Sequence, residues 1–213
     1  MVFEDRADAG RQLAARLRQL QLDEPVVLAL PRGGVPVAAE VARALKAPLD
    51  LLLVRKIGAP AQPELAVAAV ADGGEPALEI DEETLALSGT PRDYVHHEVP
   101  RQLREIERRR RLYLGARVPL ELQGRTAVLV DDGIATGTTV RAAITALRWR
   151  KPARIVLAVP VAPAEELPRL RGEVDELVCL SAPEFFGAVG SHYRDFAQTS
   201  DEEVMALMHE FSR

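Results

Sequence analysis

Short runs built almost entirely of apolar residues recur along this chain, and most are followed by small or polar residues and then by apolar positions at helical spacing. The runs occupy 25–30, 48–54, 125–131, 153–161 and 174–180, each of strand length and rich in valine, leucine and isoleucine. Between them, 33–45, 138–150 and 163–172 carry helical periodicity. Near the start, 5–20 places Ala9, Leu13, Leu17 and Leu20 on one stripe behind Asp5, a natural N-cap. Strands apolar on both faces, alternating with helices, predict an α/β protein with a doubly wound, Rossmann-like and mainly parallel sheet covered by helices on both sides. Right-handed crossovers are the default for such connections.

Two segments break the alternation. Residues 57–80 hold Pro60, Pro63 and Pro76 with Gly58, Gly73 and Gly74, which predicts a long loop with short strands rather than a helix. Residues 91–115 read as a charged helix started or broken at Pro100 and stopped by Gly115. The pattern therefore predicts one domain over 1–213. Its core would cover about 22–80 and 116–180, with a helical insertion at about 81–115 and a small C-terminal hood at about 181–213. Ser200 followed by Glu203 is a capping box for a final helix. The tail before it concentrates Phe185, Phe186, Tyr193 and Phe196 in a chain with only 4% aromatic residues, so it is a candidate cover for either a core edge or a ligand.

An apolar content of 47% supports a sizeable core. The net charge of -5 gives no general attraction to nucleic acid, which is disfavoured as a partner. The single cysteine, Cys179, excludes an internal disulfide and reads as a buried strand residue. No apolar run approaches the roughly 20 residues that span a bilayer, and the N-terminus lacks a leader pattern, so the expectation is a cytoplasmic protein without a membrane partner. His96 and His97 diverge on a helix and read as surface residues, and the arginines at 108–111 read as a solvated face paired with Glu105 and Glu107.

In an open parallel sheet, ligands bind where strands end and loops lead into helices. Three such ends carry unusual residues: "PRGG" at 31–34, "RK" at 55–56 and "DDGIATGTT" at 131–139. The last has the makings of a phosphate cradle, with small residues, hydroxyls and a helix N-terminus behind them. It is not the ATP-binding P-loop, whose lysine is missing. Asp131 and Asp132 beside a phosphate need another partner, such as sugar hydroxyls or a bridging magnesium ion.

"VLVDDGIATGTT" resembles the signature of the type I phosphoribosyltransferases, which bind 5-phosphoribosyl 1-pyrophosphate (PRPP). The resemblance implies that Asp131 and Asp132 hold the ribose hydroxyls and touch magnesium only through its complex with PRPP. It puts the 5-phosphate on Ala135, Thr136, Gly137, Thr138 and Thr139. "LPRGGVPVAAEVA" resembles the family's pyrophosphate loop, in which a non-proline cis peptide often exposes an amide, implying Arg32, Gly33 and Gly34. "RKIGAP" resembles its basic strand-end segment and adds Arg55 and Lys56. Catalytic roles then fall to Asp131, Asp132, Arg55 and Lys56, with Tyr193 and Phe196 as hood residues for the base. The implied activity is transfer of the phosphoribosyl group from PRPP to a nitrogenous base with magnesium as cofactor, in a homodimer.

Departures narrow the acceptor. Members acting on 6-oxopurines keep an acid where this chain has Ala135, which counts against hypoxanthine and guanine. Orotate-type members bring lysine and histidine on a mobile loop, and 57–80 has neither. A regulator with the same fold that binds PRPP or nucleotide without much turnover is the alternative reading. A relative of the PRPP synthetases would need a longer, duplicated chain.

Overall fold

The computed structural model describes residues 1–71 and 77–212. Five strands, β1 (Val26–Ala29), β2 (Leu49–Leu51), β6 (Thr126–Val130), β7 (Arg154–Val161) and β8 (Glu176–Ser181), form a parallel sheet in the order β2-β1-β6-β7-β8. In β1, β6 and β7, Val27, Ala29, Val128, Val130, Val156 and Ala158 face one cluster. That cluster also holds residues of α1 (Arg6–Leu17), α2 (Gly34–Leu45) and α7 (Asp201–Glu210). The intervening Val26, Leu28, Ala127, Leu129, Ile155 and Leu157 face the opposite cluster, shared with α5 (Thr138–Trp149) and α6 (Leu167–Arg171). Strand side chains alternate between faces. With both faces buried, alternation disappears from the sequence and leaves the continuous apolar runs that predicted this doubly wound architecture.

Several local expectations hold. Asp5 caps α1 by accepting from Asp8 N at 2.7 Å, and Ser200 caps α7 by accepting from Glu203 N at 3.1 Å. Gly115, at φ 58°, closes α4 (Arg92–Leu114). On α4 the arginine run is paired as expected: Arg108 and Arg109 donate to Glu105, and Arg111 to Glu107. The two arginines hold the Glu105 carboxyl down at about 2.

Other expectations need correction. The 48–54 run is divided: β2 stops at Leu51, and Val54 opens a second sheet of β3 (Val54–Ala59), β4 (Gln62–Ala71) and β5 (Ala77–Ile80), all antiparallel. What reads as a loop at 57–80 is thus largely sheet, with 72–76 outside the described residues. Pro63 is tolerated because β4 pairs with β5 only over Ala68–Ala71, so the proline lies where β4 has a single neighbour. Helix α4 does not start or break at Pro100 but runs through it from Arg92. Proline removes one bond, to the His96 carbonyl, and both residues are exposed so that water can take its place. Ile106, Tyr113 and Leu114 of α4 are buried in the same cluster as α1 and α2. A short helix, α3 (Glu82–Ser88), precedes it, capped by Asp81. The predicted helix at 163–172 is a 3-10 turn, Ala164–Glu166, leading into α6. Cys179 is half-buried rather than buried, because β8 is an edge strand.

Asp50 is the one acid inside the apolar 48–54 run, and it is 3% exposed. Its Oδ1 accepts from Leu51 N and its Oδ2 from Leu120 N, both at 2.9 Å, stapling the chain ahead of β6 to the edge of the sheet. Asp50→Ala would leave the amide of half-buried Leu120 without this acceptor and is expected to cost about 1 kcal/mol in urea denaturation. An unchanged midpoint would mean that the staple contributes nothing.

Candidate functional site

Because β1 and β6 are neighbours in the sheet, the loops that follow them open side by side, and β3 brings its first residues alongside. Their meeting leaves a cavity of about 330 Å³ lined by Leu30, Pro31, Gly33, Lys56, the whole stretch Asp131–Gly137, Thr139, Val140, Val189 and Phe196. Acids, small-residue turn and one lysine therefore line a single cavity.

The turn is held from beneath. Ile134 N donates to Val161 O at 2.9 Å, tying it to β7, and Gly137 takes φ 72° so that α5 can begin at Thr138. Among the described residues, none accepts a hydrogen bond from the N–H groups of Ala135, Thr136 and Gly137. Three consecutive donors without a partner among the described residues, at the start of a helix, are an arrangement suited to an anion. Under them lies Arg141 of α5, 3% exposed, whose Nη1 donates to Thr136 O at 3.2 Å and whose Nη2 reaches Thr138 Oγ1 at 3.5 Å. Its charge is answered by Glu79 of β5 and Glu166 at 3.6 and 3.7 Å.

Asp131 and Asp132 stand at the end of β6, and Asp132 N donates to Asp131 Oδ1 at 2.8 Å. Burial pushes the Asp131 carboxyl well above the usual carboxylate range, and the neighbouring Asp132 charge pushes it further. Burial also raises Asp132, against the pull of Arg6, whose Nε lies 2.8 Å from Asp132 Oδ2. The fit is close enough that a Cβ on Gly33 would stand 2.0 Å from that same oxygen. The Pro31–Arg32 peptide is cis. Among the described residues no group of three or more His, Cys, Asp or Glu side chains could hold a metal ion. Two adjacent carboxylates fit an ion that arrives on a phosphate ligand and keeps its waters, as magnesium does, rather than one caged by the protein.

The structure does not bring every predicted residue to the cavity. Arg55 and Lys56 are successive strand residues and so point to opposite faces. Lys56 lines the cavity, while Arg55 Nε turns to Gln102 of α4 at 3.3 Å. Arg32 reaches Asp201 of α7 at 3.4 Å, and Tyr113 donates to the same carboxylate at 2.6 Å. Gly34 is buried in the first turn of α2 against the Val130 carbonyl. Thr138 keeps its hydroxyl in the buried cluster with Arg141 rather than in the cavity. In the tail, Phe196 lines the cavity, whereas Tyr193 is buried and donates to the Asp132 carbonyl at 2.5 Å. Burial keeps that phenol protonated by raising its pKa. Sequence reasoning missed Arg6 and Arg141. Arg6 sits in an ordinary surface-helix pattern, 126 positions from Asp132, and no local signal marks it.

The phosphoribosyl transferase domain model matches residues 3–195 of this chain. A Mycobacterium tuberculosis protein whose name places it among the phosphoribosyl transferases is 49% identical over 209 residues, covering 97% of this chain and 46% of its own length. The chain thus spans about half the length of the curated relatives it matches. A bifunctional protein PyrR of a Roseiflexus species is 56% identical over 43 residues, 20% of this chain and 24% of its own. The crystal structure of a Thermus thermophilus protein is 45% identical with a TM-score of 0.83, each chain covered over 100% of its length. No helix among the described residues is long and apolar enough to cross a membrane. With its acid pair, its free-amide turn and a family match over nearly all its residues, this chain belongs to the phosphoribosyl transferase domain family.

Proposed function

We propose that the cavity binds PRPP with magnesium and transfers the phosphoribosyl group to a nitrogenous base, releasing pyrophosphate. The observation that carries this reading is that two adjacent, half-buried carboxylates line the same cavity as three consecutive amides that donate to no described residue. A ligand offering both vicinal hydroxyls and a phosphate satisfies both halves; ATP at a P-loop would leave the acids opposed to its phosphates.

In this reading Ala135 to Thr139 hold the 5-phosphate, chiefly through backbone amides, and the Thr136 and Thr139 hydroxyls add to them. Asp131 and Asp132 hold the ribose hydroxyls and favour positive charge developing on the ring as the bond to pyrophosphate lengthens. Lys56, with the backbone at 31–34, faces the pyrophosphate. Arg32 and Arg55 act behind it through α7 and α4 unless substrate turns them inward. Magnesium, held indirectly by the acid pair through PRPP, would neutralise the leaving group. The 181–213 hood closes the base side through Val189 and Phe196, with Tyr193 supporting from behind. Ala135 offers no carboxylate to the base, so 6-oxopurines are the disfavoured acceptors. The reading carries with it a cytoplasmic setting and a homodimer, the latter open to analytical ultracentrifugation.

Incubation with PRPP and magnesium against a panel of bases should release pyrophosphate with one of them. The Asp131→Asn, Asp132→Asn double variant should stay folded and lose PRPP affinity by about 100-fold or more, two charge-assisted contacts at about 1.5 kcal/mol each. Normal binding by that variant would remove the acids from the site. Tight binding by the parent chain with no turnover on any base would select the regulator instead.

A further inference from the structure

The N-terminal segment and the C-terminal tail are laced together beside the acid pair. Phe3 N donates to His192 O at 2.8 Å, and Arg194 N and Asp195 N donate to the carbonyls of Phe3 and Glu4, each at 2.9 Å. The Phe3 and Tyr193 rings are 5.4 Å apart, and the Tyr193 and Phe196 rings 5.0 Å. At the centre is Arg6, on the first turn of α1, with its side chain only 12% exposed. One guanidinium makes three contacts of different kinds. Its Nε meets Asp132 at 2.8 Å, its Nη1 donates to Ala197 O at 2.6 Å, and its plane covers the Phe196 ring at 3.9 Å. Phe196 is also packed closely against Gly190, where a Cβ would stand 2.8 Å from the ring.

We infer that Arg6 is a positioning residue that pins the 193–197 strap over the cavity and aims Asp132, so that the N-terminal helix sets access to the acceptor side. The inference rests on the PRPP reading for the role of Asp132, but the pinning of the strap stands on contacts alone. Without Arg6, Asp132 Oδ2 has no donor among the described residues and turns toward water, out of line with a ribose hydroxyl. Phe196 loses the surface that holds it at the cavity wall, and the strap can lift. Lysine at this position can restore the first effect but not the second, because an ammonium is a point charge. It lacks the planar fork that serves Asp132 and Ala197 together and the flat face that stacks on phenylalanine.

The test compares Arg6→Gln and Arg6→Lys with the parent chain in two measurements: calorimetric binding of PRPP with magnesium, and trypsin cleavage after the strap residue Arg194 followed by mass spectrometry. For Arg6→Gln we expect PRPP affinity to fall about tenfold, the loss of one charge-assisted contact. Cleavage after Arg194 should rise about fivefold as the open state gains population. For Arg6→Lys, affinity should return to within about threefold of the parent while cleavage stays fast, a split that general loss of packing would not produce. A cooperative thermal transition in both variants confirms that they fold. Parental cleavage and parental affinity in Arg6→Gln would overturn the inference, as would an Arg6→Lys chain that matches Arg6→Gln in both. If the parent chain itself fails to bind PRPP, the functional reading falls, and the cleavage measurement still decides the pinning of the strap.

Discussion

Gly33→Ala is expected to damage PRPP binding far more than it damages folding. The backbone at Gly33 has φ -58° and ψ -34°, values any residue adopts, so conformational freedom is not what the position requires. What it requires is the absence of a Cβ. A methyl there would stand 2.0 Å from Asp132 Oδ2 and 2.7 Å from Cγ, inside any permissible contact. The carboxylate must swing away, and it can do so only by leaving the Arg6 guanidinium at 2.8 Å. Strain in a packed site of this kind costs about 1–3 kcal/mol of stability. The displaced acid, about an ångström or more out of line, should cost about 100-fold in PRPP affinity or turnover. Gly172→Ala is the control: its φ is -74°, a Cβ there meets only Arg169 O at 3.4 Å, and the change should stay within about 0.5 kcal/mol. Calorimetry and chemical denaturation on the two variants read both quantities. A Gly33→Ala chain that bound PRPP as the parent does would show that Asp132 need not occupy its present position.

The same pair of residues shows what the sequence could and could not convey. The parallel sheet was legible because Val27 and Leu28, or Leu129 and Val130, bury opposite faces, and a strand buried twice is simply apolar. The turn after β6 was legible because acids, small residues and hydroxyls that act together also lie together in the chain. Contacts that cross the fold left no such trace. Arg6 and Asp132 meet only because α1 and the tail close over the end of β6. The second sheet was misread for a compositional reason: Pro60 and Pro63, which would usually mark a loop, stand at and just after a hairpin end, and Gly58 stands at a register shift. Once Val54–Ala59 is a strand, the division of labour between Arg55 and Lys56 follows from its period of two, so that separation was available in principle. Helix α4 passed through Pro100 because a single lost bond at an exposed position is outweighed by burial of Val95, Ile106, Tyr113 and Leu114 on the same helix.

Arg141→Met is expected to unsettle the phosphate turn and the fold together, with stability loss the larger signal. The guanidinium fills the space under Gly137, its Nη1 lying 2.9 Å from where a Cβ on that glycine would be. It also faces two carboxylates, Glu79 and Glu166, neither of them closer than 3.6 Å. Arg141 Nε and Glu166 Oε2 are buried without hydrogen-bond partners among the described residues, so the cluster is held by charge more than by directed bonds. Burial raises the Glu166 carboxyl above its usual range, and Arg141 opposes that rise. Methionine matches the length of the stem but leaves both acids without their cation. Removing one partner of a buried pair costs about 3–5 kcal/mol, and the lower end applies because both acids keep about a quarter of their side chains in solvent. The triple change Arg141→Met, Glu79→Gln, Glu166→Gln removes the orphaned charges and should recover most of that stability while leaving Thr136 O without its donor. PRPP affinity in the triple variant then reports the turn alone: a loss of about tenfold is expected for one missing charge-assisted contact. Recovery of stability with parental affinity would mean that the turn holds its shape through Ile134 and Gly137 without help from beneath.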